Sequence, residues 1–208
     1  NPDARIATGF LRLWPDEYNA ANLEQRRQEI LDDVTDVTGQ VFLGLTFGCA
    51  RCHDHKFDPI LQTDYFRLQA FFAPMQPRDD VPAATREARS DYQRRLAVWE
   101  TNSRDIRAEM DRLIADKRQE QRKFATTKFR SEIQQAIQMA DEKRTPYQRQ
   151  IARIAEKQLR SAEQAAPTRL PADKKKRYQE LERKLAVLQP SRPNPLPLAL
   201  AVSDIGLD

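Results

Sequence analysis

Glycine, cysteine and histidine are scarce in this chain: 5 Gly, 2 Cys and 2 His among 208 residues. Two cysteines cannot build a disulfide framework. No run of about 18 apolar residues occurs, so no segment reads as a membrane span. The apolar fraction, 39%, is below the roughly 45–50% usual for globular chains, which predicts a thin molecule with little interior per residue. No nucleophile–base pair, phosphate loop or paired carboxylates with an identifiable pocket occur, so catalysis by this chain alone lacks sequence support. The opening NPDARIATGF has neither an initiating Met nor the basic and apolar regions of a signal peptide. The closing LPLALAVSDIGLD looks like the start of another strand. The expectation is an internal fragment of a longer chain, whose compartment the missing leader does not reveal.

Charge and glycine divide the sequence. Residues 1–82 are net −5 and residues 83–208 net +9, and no glycine occurs between Gly48 and Gly206. The prolines Pro74, Pro77 and Pro82 mark the joint, since proline stops helices and stiffens linkers. Beyond it, Tyr92, Leu96, Trp99, Ser103, Ile106, Met110, Leu113, Lys117, Glu120 and Phe124 recur in steps of four and three, the 3.5-residue repeat of a helix with one apolar seam. A second register, Ile133, Ile137, Ala140, Arg144, Tyr147, Ile151 and Ile154, is interrupted by Thr145-Pro146, where proline suits a helix start with threonine as its cap. A last helix carries Tyr178, Leu181, Leu185 and Leu188. A single-seam helix cannot stand alone. These features predict an all-α fold: a small helical haem-c-like domain over 1–82, an antiparallel helical, coiled-coil hairpin over 83–190, and a Pro-rich linker over 191–208 to a missing downstream domain. Coiled-coil dimerisation is the rival arrangement. Arg and Glu alternate along the basic half, which reads as a solvated face and not as a nucleic-acid surface.

One segment carries chemistry. Cys49-Ala50-Arg51-Cys52-His53 is a C-x-x-C-H sequence, the attachment signature of c-type haem. Two thiols at this spacing reach the two vinyl groups of a porphyrin, and the following histidine supplies the proximal nitrogen to iron. Three alternatives share the spacing. A thioredoxin-like dithiol needs a βαβ context, which the flanks lack. Zinc on Cys49, Cys52, His53 and His55 would crowd four ligands into seven residues, where structural sites draw two separated pairs. A Cys49–Cys52 disulfide is the third. Upstream, Leu23, Arg26, Ile30, Val34, Val37 and Leu45 lie near one helical face. Downstream, Phe57, Tyr65, Phe66, Phe71 and Phe72 read as core or as an apolar wall against a haem. Met75 is the best internal candidate for a distal iron ligand; otherwise that position is open or filled from outside the fragment. His55 reads as a residue hydrogen-bonded to a carboxylate such as Asp58.

The strings TGFLRLWPDE and DDVTDVTGQVFLGLTFGCARCHDHKFDPILQTDYFRLQAFF, over roughly residues 7–75, closely resemble the second cytochrome-like domain of the planctomycete cytochrome c (PSCyt) proteins. The stretch Tyr178–Val202 is similar to the segment leading into that family's C-terminal domain. The resemblance implies covalent haem c on Cys49 and Cys52, with His53 on iron. Asp54, His55, Lys56, Asp58 and Asp64 belong to the same string without an implied role. It further implies an exported or periplasmic multidomain protein whose electron partner is another haem domain of the same chain or a separate redox protein. The function expected is an electron-transfer module, a component of a haem-dependent oxidoreductase at most. The alternative is a structural or interaction module with a C-x-x-C disulfide and a coiled-coil spacer arm.

Overall fold

A computed structural model describes residues 6–15, 17 and 19–204. The chain is 71% helical, with six α-helices among the described residues: α1 (Leu23–Thr38), α2 (Gln62–Phe72), α3 (Arg86–Thr126), α4 (Ser131–Gln138), α5 (Pro146–Gln164) and α6 (Ala172–Leu188). Two strands, β1 (Met75–Pro82) and β2 (Leu198–Asp204), pair antiparallel. The chain divides into two compact units. The first comprises residues 1–81, 135–155 and 199–208, the second residues 82–134 and 156–198.

Local chemistry sets the helix ends. The Asn22 side chain accepts from the Gln25 N–H at 3.1 Å and caps α1, and Thr85 accepts from the Ala88 N–H at 3.2 Å and caps α3. Thr145 and Gln148 cap α5 reciprocally: each side chain accepts from the other's backbone N–H, at 3.2 and 2.9 Å. The chain therefore breaks at Thr145-Pro146, where a threonine cap precedes a proline at the first helical position.

In the first unit α1 ends in a wide π-type turn, Gly39–Leu43, closed by Gly44 at φ +66°. Only glycine adopts that left-handed geometry without a Cβ penalty. Gly39 is required for a different reason: a Cβ there would lie 2.6 Å from the Phe47 ring. After the turn come a 3₁₀ turn (Phe47–Arg51), a loop and α2, which packs on α1. Gln150 of α5 pins the start of β1 by donating to the carbonyls of Ala73 and Met75 at 2.6 and 2.7 Å. Arg12 ties the strands together, donating to the carbonyls of Arg78 and Ala201 and pairing with Asp79.

In the second unit α3 runs for 41 residues, roughly 60 Å at about 1.5 Å per residue. α6 packs along it in the opposite direction. The Trp99 indole N–H donates to the Leu188 carbonyl at 3.1 Å, and Arg177 grips Glu109 at 2.7 and 2.9 Å. Ile114 forms a small core with Ala166, Leu170 and Tyr178.

The all-α expectation is corrected by the β1–β2 sheet. The coiled-coil hairpin expectation is corrected as well. Buried positions on α3 are Trp99, Ser103, Ile114, Gln121 and Ala125. Ser103, Ile114 and Ala125 stand eleven residues apart, a spacing of 3.67 per turn, which does not wind helices into a left-handed seven-residue coil. Phe124, expected in the seam, is exposed.

Candidate functional site

The C-x-x-C-H sequence lies on the 3₁₀ turn and the residues just after it. With about three residues per turn, positions i and i+3 eclipse each other. Phe47 and Ala50 accordingly share the inner side and are buried, packed with Ile60, Tyr65 and Leu68. Cys49 and Cys52 share the outer side; both are exposed and both are free thiols. The Cys52 N–H donates to the Cys49 carbonyl at 3.4 Å, continuing the turn's spacing. Apolar residues at 47 and 50, not an intrinsic preference of cysteine, thus aim both sulfurs at solvent.

His53 follows on the exposed side. Its Nδ1 lies 2.7 Å from the Asp54 carbonyl oxygen. A carbonyl only accepts, so Nδ1 is the donor in this contact, and in the neutral ring Nε2 is then the nitrogen with the lone pair. This is the tautomer needed for ligation through Nε2, with the other ring nitrogen oriented by a backbone acceptor.

The loop after His53 is closed by short-range bonds. The His55 N–H donates to the Ile60 carbonyl at 2.8 Å. Asp54 caps the start of α2 by accepting from the Gln62 N–H at 2.8 Å. His55 Nδ1 accepts from the Asp58 N–H at 2.9 Å and lies 3.2 Å from Asp58 Oδ2. One nitrogen cannot accept from the amide and donate to the carboxylate at once. Neutral His55 therefore staples the loop through the amide, and the carboxylate bond requires a proton on Nδ1.

Beneath the turn is a polar cluster that sequence reading missed. Asp32 of α1 accepts from Tyr65 Oη at 3.2 Å and from Gln69 and Gln28 Nε2 at 2.9 Å each; Gln69 and Gln28 are not alternatives, since both donate to Asp32. Its second oxygen accepts from Arg51 Nη1 at 3.2 Å. Burial pushes the Tyr65 hydroxyl up, and the Asp36 and Asp32 charges push it further, so it stays protonated and donating. Asp36, one helical turn on, has its carboxyl raised, chiefly by burial, with Arg51 opposing. A sequence signal existed, three aspartates on one helix ahead of the motif, but nothing in it pointed to Arg51.

The expected aromatic wall does not act as one body. Tyr65 is 0% exposed, whereas Phe57 is 82% and Phe71 80% exposed. Leu45, Leu61 and Phe66 are also exposed. Met75 is buried and lines a cavity of about 50 Å³ with Trp14, Arg27, Leu31, Gln150 and Ile154; none of Cys49, Cys52 and His53 lines it. Among the described residues no group of three His, Cys, Asp or Glu side chains is arranged to hold a metal ion.

A helical support therefore presents two free, same-side cysteines and an exposed histidine held through Nδ1, residue types that suit covalent haem attachment. On this set the residues fit the group: the two cysteines are exposed and not joined to each other, and His53 has one ring nitrogen engaged by a backbone acceptor. Residues 1–77 match the family model PSCyt2, described as a protein of unknown function (DUF1549), which supports membership of that segment in the family. No curated protein and no solved structure matches the chain. Among the described residues no helix is long and apolar enough to cross a membrane.

Proposed function

We propose that the first unit is a c-type haem module, with Cys49 and Cys52 as the thioether residues and His53 as the proximal ligand. The observation that carries the reading is the Nδ1–carbonyl hydrogen bond of His53 beside two outward, free cysteines. When bound, the haem supplies a one-electron couple at iron. The chain's own part is to hold the sulfurs on one side, fix the imidazole tautomer and offer exposed apolar side chains such as Leu45 and Phe57. Attachment adds each S–H across a vinyl group: a carbon–sulfur bond forms, the proton goes to the other vinyl carbon, and no electrons are exchanged.

The name of the matched family, with its cytochrome element, supports the same reading. So does the absence of any other cysteine in the sequence. Under it, the protein is exported, because c-type haem is attached outside the cytoplasm, and it exchanges electrons with a further haem domain or a separate redox protein. Met75 serves as distal ligand only if β1 detaches locally from Gln150.

The test is a pyridine haemochrome spectrum of the denatured, reduced protein made with active haem maturation. A c-type band that survives acid–acetone extraction is the expected result. Extractable haem, none at all, or a Cys49–Cys52 disulfide overturns the proposal.

A further inference from the structure

The two residues between the cysteines are anchored in different ways. Ala50 is fully buried against Phe47, Ile60 and Tyr65. Arg51 is held at both ends: its carbonyl accepts from Gln62 Nε2 at 3.1 Å, and its guanidinium reaches Asp32 at 3.2 Å. The Asp32 side chain is 14% exposed and that of Arg51 47%. Three neutral donors, from Gln28, Tyr65 and Gln69, converge on one Asp32 oxygen and leave the other aimed at Arg51. The carboxylate is thus fixed by α1 and α2 before the turn reaches it. Charge reinforces this, since the Asp32 carboxylate is the main cause that raises the Arg51 guanidinium above its ordinary value.

We infer that Asp32 is the positioning residue of the C-x-x-C-H turn, acting through Arg51 to set where the two sulfurs and the His53 ring stand. Asp32 touches none of the three. It acts by removing the freedom of the residue between them, and an anchored turn presents both thiols together instead of one at a time. The consequence for haem attachment rests on the function proposed above; the positioning itself does not.

Hydrogen exchange separates positioning from plain core stabilisation. It is measured by mass spectrometry on the full chain without haem, comparing peptides over 47–53 with peptides over α1. The variants are Asp32→Asn, Arg51→Gln, both together, Arg51→Lys, and Asp33→Asn as a control, a neighbouring carboxylate with no hydrogen bond to the motif. Loss of a charged partner is expected to speed exchange over 47–53 by about tenfold or more, with α1 unchanged. The double variant should equal the singles, and Arg51→Lys should recover part of the loss. Equal acceleration over α1 and 47–53, additive singles, or no change overturns the inference. Arg51 is exposed enough for its variants to fold if Asp32→Asn does not. A second readout uses protein made with haem maturation, where the fraction of chains modified at Cys49 and Cys52 should fall in the same variants. Wild-type protein without haem would sink the proposed function, while the exchange result would still decide this inference.

Discussion

Tyr65 joins the small core under the cysteines to the Asp32 cluster, and two substitutions separate these roles. Tyr65→Phe removes the hydroxyl and with it the bond to Asp32, whose oxygen keeps Gln28 and Gln69 as donors. The expected cost is about 0.5–1.5 kcal/mol, the net worth of one hydrogen bond. Tyr65→Ala also empties a site that is 0% exposed and packed with Phe47, Ala50 and Ile60. Aromatic-to-alanine changes in cores cost about 3–5 kcal/mol. The two tryptophans make the assay specific. Trp14 belongs to the first unit and Trp99 to the second, so a Trp99→Phe background leaves fluorescence that reports the first unit alone. With a urea slope of about 2 kcal/mol per molar, Tyr65→Phe should lower the Trp14 midpoint by about 0.5 M and Tyr65→Ala by about 2 M. Equal shifts for the two, or none for Tyr65→Ala, would refute the placement of this ring at the base of the turn.

Three further expectations concern single residues. Burial raises the Asp36 carboxyl, so the folded state binds that proton more tightly than the unfolded chain; its contribution is complete below the ordinary carboxylate range and is lost as pH rises through the raised value. Asp36→Asn should therefore raise the Trp14 midpoint at pH 7, with the gain shrinking toward pH 4; an equal gain at both would contradict this. Glu156 behaves oppositely: burial pushes it up, but hydrogen bonds and charge from Arg122 outweigh burial and hold it below its ordinary value. Its contribution is present at neutral pH and lost as pH falls through the depressed value, so Glu156→Gln should lower the Trp99 midpoint at pH 7, with the difference shrinking as pH falls below the ordinary carboxylate range. Gly44→Ala meets no atom within 4 Å, so its cost is that of the backbone conformation alone, about 1–2 kcal/mol, readable as a lower Trp14 midpoint.

Features written in adjacent residues were legible. The break at Thr145-Pro146 needs only a threonine, a proline and a glutamine three residues on. The C-x-x-C-H string stands out by its own spacing, and the phenylalanine and alanine that turn its cysteines outward lie within three residues of them. Features assembled from distant residues were not. β1, MQPRDDVP, holds two prolines and three charges and lacks strand alternation; it is extended because LALAVSD, more than a hundred residues later, pairs with it, and a strand at a sheet edge tolerates proline. The register of α3 was misread beyond Ser103 because apolar side chains occur at both Leu113 and Ile114, and only packing against Ala166, Leu170 and Tyr178 decides between them. The Asp32 cluster draws on three segments, α1, the 3₁₀ turn and α2, and no spacing rule links Asp32 to Arg51.

The central claim concerns the chemical state of two sulfur atoms. The mass of the proteolytic peptide spanning Cys49 to His53, taken from protein exported in a host with active haem maturation, reads that state directly. The account predicts one haem added across both cysteines with neither thiol left to alkylate. A peptide of unmodified mass, or one lighter by two hydrogens from a sulfur–sulfur bond, would contradict it.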